Sequence, residues 1–488
     1  MPYTLITGVT GLLGQYLLRD LLQQGRRIAV LVRSTPLADA QTRVEGILSA
    51  WESRLGQCLP RPYVLDGDLT KPGLGLNDSD SQFLQTHCDA VLHNAASLVF
   101  HGQSRDEEPY RTNAVGTRNL VEAAQEAGIR YFHHVSTAYV CGQRHGVVPE
   151  TDADPQANFG NDYERSKSEA ETIVRQAFGD RATIYRPSVI IGDSQSGFTS
   201  TYRGFYTAVQ ISWLISRTSG ATASRDFIHN LGFGVDDCKN LVPVDWVSRA
   251  ITSIVQDSSL VGRVFHITNP NLTPTATIEK AICTAIEQST PSIGPANSSG
   301  RRLTHSKIGL QSGMDVYRSY FRTDPLFDSR NTEAALPTDP CPIVDRSMLV
   351  RLCRWAMDAK FSTLPPRSTA DVPPVASVLQ SSLPPARAVS ADAETLQLEL
   401  TGPGGGLWTV VFEGGRPAWT NSGFHESTKS LIYGPASAFW TLVAHGDSCD
   451  ERLADGSLVL EGDSQSRSRV KAVIERLRGG SAVIRRAS

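Results

Sequence analysis

The chain has 488 residues, of which 40% are hydrophobic and 20% charged, and its formal net charge is -3. This length exceeds that of one typical hydrophobic core, so we expect two or three domains. The near-neutral charge, with no basic block beyond short pairs such as Arg301-Arg302 and Arg485-Arg486, argues against a nucleic-acid partner.

The cysteines and the apolar runs indicate a cellular compartment. The 8 cysteines are scattered without CxxC pairing, which favours reduced thiols over a disulfide framework or a metal site. The longest apolar runs, such as 208–215, are too short to span a bilayer, and no signal peptide precedes the first predicted strand. We therefore expect a cytoplasmic protein with no membrane span.

The chain starts with a nucleotide-binding pattern. The apolar run Tyr3–Thr7 predicts a strand, which leads into Gly8, Gly11 and Gly14 and then into a helix over 15–23. A glycine turn between a strand and a helix N-terminus presents backbone N–H groups and the helix dipole to a dinucleotide pyrophosphate. The glycine spacing alone also fits an ordinary turn.

The next strand carries a clue to the cofactor. Residues 27–33 follow Gly25 and predict the second, buried strand of a βαβ unit. An NAD-specific fold usually places an acidic residue at the end of this strand, where it binds the ribose 2′-OH. Here the residue is Arg33, and a guanidinium suits the 2′-phosphate of NADP. A solvated arginine at a strand end is the alternative.

Strands and helices continue to alternate along the chain. Further strands are predicted at 62–68, 90–94, 131–136 and 182–186, with helices at 112–127 and 164–178 between them. This alternation predicts a doubly wound parallel α/β sheet of the Rossmann type, with ligands at the carboxyl ends of the strands.

One helix carries a possible acid–base pair. Tyr163 and Lys167 lie four residues apart and share a helix face, so the ammonium can lower the pKa of the phenol and make it a proton donor near neutral pH. A surface pair is the alternative. The histidines at 93, 133 and 134 lack a third ligand at useful spacing, so we predict structural roles for them and no metal site.

Several segments together resemble the extended short-chain dehydrogenase/reductase superfamily. They are the Tyr163/Lys167 pair and residues 7–14, 67–69, 93–96, 113–117, 135–139 and 186–188. Within it, residues 31–33, 67–76 and 240–247 resemble the thioester reductase and fatty acyl-CoA reductase branch. The resemblance covers roughly residues 1–360, which we expect to form one reductase domain.

The resemblance implies an NADPH site. Its contacts would be Gly8, Thr10, Gly11, Leu12, Leu13, Gly14, Arg33, Arg43, Asp68, Leu69, Asn94, Ala95, Ala96, Tyr163, Lys167, Pro187 and Val189. The glycine turn would hold the pyrophosphate, and Arg33 with Arg43 would bind the 2′-phosphate. Residues 68–69 would border the adenine, residues 94–96 the ribose, and residues 187–189 the nicotinamide.

The resemblance also implies a catalytic set of Thr137, Tyr163 and Lys167. Tyr163 would donate a proton, Lys167 would hold the nicotinamide ribose and tune Tyr163, and Thr137 would hydrogen-bond the substrate oxygen. Ser136 is the alternative for this last role, although counting back from Gly142 favours Thr137.

These roles imply NADPH-dependent reduction of a hydrophobic acyl thioester, bound to CoA or to an acyl carrier protein, to an aldehyde or alcohol. Residues from about 193 to 360 would form a smaller substrate-binding part, with a loop at 192–204 and an apolar or aromatic wall from 205–216 and 317–321. Those aromatic residues fit a plain core equally well. The alternative functions are a dehydrogenase or epimerase acting on a hydroxysteroid or other alcohol, and a non-catalytic lipid-binding protein with a vestigial nucleotide site.

The composition changes after the reductase part. Residues 361–388 are rich in Pro and Ser and predict a linker. Residues 389–480 predict a separate small α/β domain, with strands at 396–400, 407–412 and 417–420, a hairpin turn at 413–416, and helices at about 427–445 and 464–478. This domain resembles the sterol carrier protein type-2 fold, which implies a lipid or sterol ligand; the same apolar residues also suit a filled core.

Overall fold

We describe the fold from a computed structural model. The described residues are 2–36, 38–102, 104–151, 154–219, 221–229, 234, 236–289, 317–361, 375–385, 393–401, 405–423, 428, 430–444, 448–454 and 458–480. Most of the predicted linker, at 362–374 and 386–388, lies outside them. So do 445–447 and 455–457, on which the C-terminal resemblance rests in part.

The strands, in chain order, are β1 (Tyr3–Thr7), β2 (Ile28–Val32), β3 (Tyr63–Asp66), β4 (Cys88–His93), β5 (Tyr131–Val135), β6 (Val147–Val148), β7 (Ala182–Pro187), β8 (Val189–Ile191), β9 (Cys238–Lys239), β10 (Leu241–Pro243), β11 (Val264–Ile267), β12 (Thr273–Pro274), β13 (Leu326–Phe327), β14 (Glu394–Thr401), β15 (Gly406–Glu413), β16 (Arg416–Ser422), β17 (Ser430–Pro435) and β18 (Val459–Gly462).

The α-helices are α1 (Leu12–Gln23), α2 (Ala40–Leu55), α3 (Asp78–His87), α4 (Gly116–Glu126), α5 (Asp162–Phe178), α6 (Phe205–Ser219), α7 (Ala221–His229), α8 (Val244–Gln256), α9 (Thr275–Ser289), α10 (Arg330–Ala335), α11 (Arg346–Asp358), α12 (Val375–Ser382), α13 (Ala436–Ala444), α14 (Cys449–Ala454) and α15 (Ser466–Gly480).

A 7-stranded sheet with the order β11-β7-β5-β4-β1-β2-β3 confirms the predicted Rossmann-like architecture. The β2–β3, β4–β5, β5–β7 and β7–β11 pairs are all parallel. Every residue of β1 and β2 is buried, as expected for strands of a parallel sheet covered on both faces. Six of these strands were predicted from the sequence, and β11 was missed.

Two compact units make up the chain. The larger unit comprises Leu5–Asp20 and Leu69–Leu364, and the smaller unit comprises Met1–Thr4, Leu21–Asp68 and Pro365–Ser488. The larger unit contains the glycine turn and the helix with Tyr163. The smaller unit contains β2, α2, β3 and the C-terminal residues 375–480, which we call the C-terminal module.

The C-terminal module has a 5-stranded sheet with the order β16-β15-β14-β17-β18. In it β14 is antiparallel to β15 and parallel to β17. The predicted hairpin turn joins β15 to β16, where Glu413 pairs with Arg416. The sheet and the helices α12, α13 and α15 share one core of apolar side chains.

Two predictions for this region need correction. The residues predicted as the start of a helix at 427–445 form β17 instead, and the helix begins only at Ala436. Burial alternates along 430–434, with Ser430, Ile432 and Gly434 buried and Leu431 and Tyr433 half-buried, as expected for a strand. The predicted linker contains α12, whose buried Val375, Val378 and Leu379 follow helical spacing and join the module core.

Within the described residues, no helix is both long and apolar enough to cross a membrane.

Candidate functional site

The glycine turn after β1 has no room for a side chain at its first and last glycines. Gly8 has φ +76, and a Cβ there would lie 2.6 Å from the backbone of Ala95. A Cβ at Gly14 would lie 2.0 Å from the Gly8 carbonyl oxygen. Because the first N–H groups of a helix lack intrahelical partners, the start of α1 behind this turn suits an anion. Gly8 and Gly14 therefore fit the cradle that a pyrophosphate requires.

The end of β4 is tied to this turn. The Thr7 hydroxyl oxygen accepts the backbone N–H groups of Asn94 and Ala95, both at 3.2 Å. The Asn94 amide also donates to the Gly8 carbonyl at 3.3 Å. Of the predicted ribose contacts, Asn94 and Ala95 thus lie against the glycine turn, and Ala96 follows as an exposed residue.

His93 links the turn to the start of α4. Its Nδ1 lies 2.7 Å from the Thr7 hydroxyl, and its Nε2 lies 2.9 Å from the Thr117 hydroxyl. Thr117 donates its own hydrogen to the Asn113 carbonyl at 2.6 Å, so it must accept from His93. His93 is therefore a neutral Nε2–H tautomer, and burial lowers its pKa to about 3.

Asn113 extends this network to α5, the helix that carries Tyr163 and Lys167. It lies in a π-helical turn, Arg111–Val115, directly before α4. Its side-chain oxygen accepts from the Ser97 N–H at 2.7 Å, and its amide donates to the Ser166 hydroxyl at 2.9 Å. Ser166 donates to the Tyr163 carbonyl at 2.8 Å. In the sequence, residues 113–117 contributed only to the family resemblance, and no role was predicted for them.

Tyr163 and Lys167 lie in the first two turns of α5. The Asn161 side chain caps this helix by accepting from the Glu164 N–H at 3.0 Å. Lys167 is 2% exposed and donates to the Val135 carbonyl at 2.7 Å, with His134 Nε2 at 3.4 Å. Burial lowers the pKa of Lys167 to about 7.

The predicted effect of Lys167 on the phenol is not what this structure gives. Burial, with a smaller contribution from Glu164, raises the pKa of Tyr163 above its ordinary value. Burial disfavours the charged phenolate, and the Lys167 Nζ points to Val135 and His134. We therefore correct the expectation that this pair lowers the phenol pKa.

The two candidate hydroxyls for the substrate oxygen differ in their hydrogen bonds. Thr137 is 5% exposed, and its oxygen accepts from the Tyr139 N–H at 3.3 Å, which leaves its own hydrogen available to donate. The Ser136 oxygen is buried and has no hydrogen-bond partner among the described residues. Gly142 is the glycine whose position favoured Thr137 over Ser136 in the sequence. It has φ +67, and a Cβ there would lie 2.7 Å from the Asn158 carbonyl oxygen.

An aromatic cluster lies beside Tyr163. The Phe100 ring is 5.8 Å from that of Tyr163, 5.2 Å from that of Tyr317 and 5.6 Å from that of Tyr320. The backbone N–H of Asp162 donates to the Phe100 carbonyl at 2.9 Å, which anchors this loop on the start of α5. The segment 317–321 thus contributes to a wall near Tyr163, and Phe100 is a member that was missed in the sequence.

Pro187 and Val189 continue from the end of β7 into β8. Pro187 is buried, and Val189 pairs with Leu241 of β10. The Ser188 hydroxyl between them donates to the Asn240 side chain at 2.7 Å. The segment 240–243, noted for its family resemblance, therefore fixes the backbone of the predicted nicotinamide contacts.

In the smaller unit, Arg33 and Arg43 lie together. Arg43 donates a hydrogen bond to the Arg33 carbonyl. The Arg33 side chain is 65% exposed and lies 3.4 Å from Asp68, which was predicted to border the adenine. Two guanidinium groups at the end of β2 suit a dianionic phosphate. Leu69, in the larger unit, accepts at its carbonyl from Asn119 at 2.7 Å.

The other strand histidines have structural surroundings. His133 lies 3.0 Å from the Tyr185 hydroxyl, and burial lowers its pKa to about 4. Across the described ranges, no group of three or more His, Cys, Asp or Glu side chains is arranged to hold a metal ion.

Comparison with known proteins shows where the chain belongs. The male sterility protein family of NAD-binding domains matches residues 6–251, just over half of the chain. A linear gramicidin synthase of Brevibacillus parabrevis is 30% identical over 283 residues, which are 55% of this chain and 5% of that protein. Fatty acyl-CoA reductase 1 of Mus musculus is 32% identical over 193 residues, 37% of each chain. The chain thus matches well under two thirds of the length of these curated relatives.

A solved structure extends the likeness beyond the family match. The terminal R domain from the myxalamid PKS-NRPS biosynthetic pathway is 25% identical, with a TM-score of 0.57 over 75% of this chain and 93% of that one. The reductase domain of a nonribosomal peptide synthetase from Mycobacterium tuberculosis, 19% identical with a TM-score of 0.51 over 74% of this chain and 93% of that one, shares the fold. The family match, the glycine turn and the Tyr163/Lys167 helix together show that this chain belongs to the male sterility protein family of NAD-binding domains.

Proposed function

We propose that this protein is an NADPH-dependent reductase of acyl thioesters, bound to CoA or to a carrier protein. The single observation that carries the proposal is the pairing of a glycine turn that admits no Cβ at Gly8 or Gly14 with a buried Lys167 one turn after Tyr163. The relatives support the reaction class, since they include a fatty acyl-CoA reductase and a reductase domain of a peptide synthetase.

The residues divide the work of binding. Gly8 and Gly14 let the pyrophosphate approach the start of α1, and Arg33 with Arg43 supply the positive charge that distinguishes a 2′-phosphate from a hydroxyl. NADPH, when bound, supplies the hydride that adds to the thioester carbonyl carbon.

Thr137 and Tyr163 stabilise the negative charge that develops on the carbonyl oxygen. Thr137 has a hydrogen free to donate to this oxygen, and Tyr163 hydrogen-bonds to it and transfers its proton. The raised pKa of Tyr163 keeps the phenol protonated at neutral pH. The resulting hemithioacetal breaks its C–S bond and gives an aldehyde and a free thiol, so one hydride and one proton are consumed per thioester.

The direct test follows cofactor and thiol together. The protein is mixed with NADPH and a panel of acyl-CoAs and acylated carrier proteins, and loss of NADPH absorbance is compared with thiol release. We expect equal amounts of both, and NADPH loss without thiol release would contradict thioester reduction. Tyr163→Phe should lose at least about 100-fold in kcat while its Kd for NADPH is unchanged; full activity in this variant would refute Tyr163 as proton donor.

The C-terminal module enters the proposal as a second candidate for acyl-chain binding, on the resemblance stated for residues 389–480. Its apolar core joins β14, β15 and β17 to four helices, and such a core accommodates an acyl chain only if side chains separate. Displacement of a fluorescent fatty acid by unlabelled acyl-CoA, measured with the full chain, tests this role, and failure to bind the probe contradicts it.

A further inference from the structure

We propose that the C-terminal module buttresses α2 and thereby holds Arg33 and Arg43 in place for the 2′-phosphate of NADPH. The inference rests on the proposed function because it takes these two arginines as the 2′-phosphate ligands. All residues that carry it belong to the smaller unit. The residue that makes the connection is Glu399, in the central strand β14 of the module.

Glu399 reaches α2 through Arg61. Its carboxylate accepts a hydrogen bond from the backbone N–H of Arg61. The Arg61 side chain is 0% exposed and pairs with two carboxylates of α2, Glu52 at 2.6 Å and Glu45 at 3.1 Å. Arg61 is thus held by the module at its backbone and by α2 at its guanidinium, so these two elements share one buried contact.

The charges make this contact sensitive to change. Three carboxylates lie around Arg61, and burial raises the pKa of Glu45 to about 7 and also raises the pKa of Glu399. Removal of the Glu399 carboxylate takes the acceptor from the Arg61 N–H, and an unmade hydrogen bond at a buried group is costly. The position of Arg61 between the carboxylates of α2 therefore depends on the module.

Two close backbone approaches surround this contact. A Cβ at Gly423, which follows β16, would lie 3.2 Å from the Tyr63 ring of β3. A Cβ at Gly406, the first residue of β15, would lie 3.3 Å from the side-chain nitrogen of Gln41 in α2. A cavity of about 460 Å³ lies on another side of this contact and is lined in part by Arg61, Tyr63 and Glu399.

The first turn of α2 is joined directly to the arginines. The Ala40 N–H, at the start of the helix, donates to the Ser34 hydroxyl at 3.0 Å. Arg43, in the first turn, donates to the carbonyl of Arg33. A shift of α2 therefore moves Arg43 and the backbone of 33–34 together, which would misplace both guanidinium groups relative to a bound phosphate.

The test compares two glutamates of the same strand in the full chain. Glu399→Ala removes the contact to Arg61, whereas Glu394→Ala removes an ion pair to Arg469 at 2.7 Å inside the module. Calorimetry with 2′,5′-ADP and with 5′-ADP separates the 2′-phosphate from the rest of the nucleotide. We expect Glu399→Ala to weaken 2′,5′-ADP binding by about 5-fold or more and to leave 5′-ADP unchanged, with both affinities unchanged in Glu394→Ala.

Two results would overturn the inference. One is unchanged 2′,5′-ADP affinity in Glu399→Ala; the other is an equal loss for both nucleotides, which indicates general damage. If the protein does not prefer NADPH, the unmodified protein would bind 2′,5′-ADP and 5′-ADP equally. That result is distinguishable from the two results above, which concern the variants.

A milder variant guards against misfolding. Glu399→Gln keeps an oxygen that can accept from Arg61 but removes the charge. Hydrogen exchange should show faster exchange of the amides of α2 in Glu399→Ala than in Glu399→Gln, while the amides of α5 stay the same in both variants. Equal exchange throughout α2 in the two variants would also overturn the inference.

Discussion

Replacement of His93 tests whether the glycine turn and the Asn113 turn are mechanically joined. His93→Phe keeps a ring of similar size but removes both hydrogen bonds, to Thr7 at 2.7 Å and to Thr117 at 2.9 Å. Both threonines are 0% exposed, so water cannot replace the lost partner. Each buried group that loses its partner costs about 1–3 kcal/mol, which for the two threonines gives a loss of about 2–6 kcal/mol in the free energy of unfolding.

The kinetic consequence should be distinct from the loss of stability. Thr7 positions Asn94 and Ala95 against Gly8, and Thr117 positions Asn113 beside Ser166. We therefore expect a higher KM for NADPH and a lower kcat in the same variant, measured on the folded fraction below its unfolding temperature. His93→Gln provides the matched control because its amide can donate to Thr117, and it should recover part of both losses.

The assay pairs urea unfolding with steady-state kinetics at fixed acyl-CoA. A destabilised His93→Phe with KM and kcat both unchanged would show that His93 only fills space in the core. A variant of normal stability would refute the hydrogen-bond assignment itself, because two buried threonines would then have lost their partner without cost.

Three further predictions concern other parts of the larger unit and one helix of the smaller unit. Gly14→Ala should weaken NADPH binding by at least about 10-fold, because its Cβ would lie 2.0 Å from the Gly8 carbonyl oxygen. Gly46→Ala in α2 is the control and should bind NADPH normally, since its Cβ would have nothing within 4 Å. Normal binding by both variants would refute the proposed pyrophosphate cradle. Phe100→Ala should raise the kcat/KM ratio of bulky α-branched over straight acyl thioesters by about 10-fold, because it empties the space beside the Tyr163 ring; an unchanged ratio would exclude Phe100 from the acyl site. The pKa of His93 in the folded protein, about 3, lies below the unfolded value, so stability is lost as pH falls from about 6.5, at about 1.4 kcal/mol per pH unit. Urea unfolding at several pH values should therefore show a shallower dependence of the unfolding free energy on pH in His93→Phe. An identical dependence in both proteins would contradict the depressed pKa.

The sheet could be predicted well from the sequence because its strands are short apolar runs between turn signals. β1 and β2 are buried throughout, so their composition alone separates them from neighbouring segments. β11 was missed, although 264–267 is a similar run, because it follows a long helical segment and no motif drew attention to it. In the C-terminal module, 430–435 was predicted as helix since the apolar residues continue into a real helix at Ala436.

The site shows a different limit. The glycine turn and the Tyr163/Lys167 pair have fixed local spacing, and local spacing is visible in a sequence. Phe100 and His93 act through partners far away in the chain, such as Tyr317 and Thr117. A polar residue at the end of an apolar strand was a signal for His93, but the sequence cannot tell which hydroxyls meet its two nitrogens.

The spacing of Tyr163 and Lys167 predicts that the two side chains are neighbours, but it does not predict whether the pKa of Tyr163 is raised or lowered. The i, i+4 rule places Lys167 near the phenol, but it does not say how much water remains around either group. In this protein Lys167 is buried, and the same desolvation that raises the pKa of Tyr163 lowers that of Lys167 to about 7. The Lys167 Nζ donates to the Val135 carbonyl and lies 3.4 Å from His134 Nε2. In the proposed reaction Lys167 therefore binds and orients the cofactor rather than ionising the phenol, and Tyr163 is the proton donor because it stays protonated.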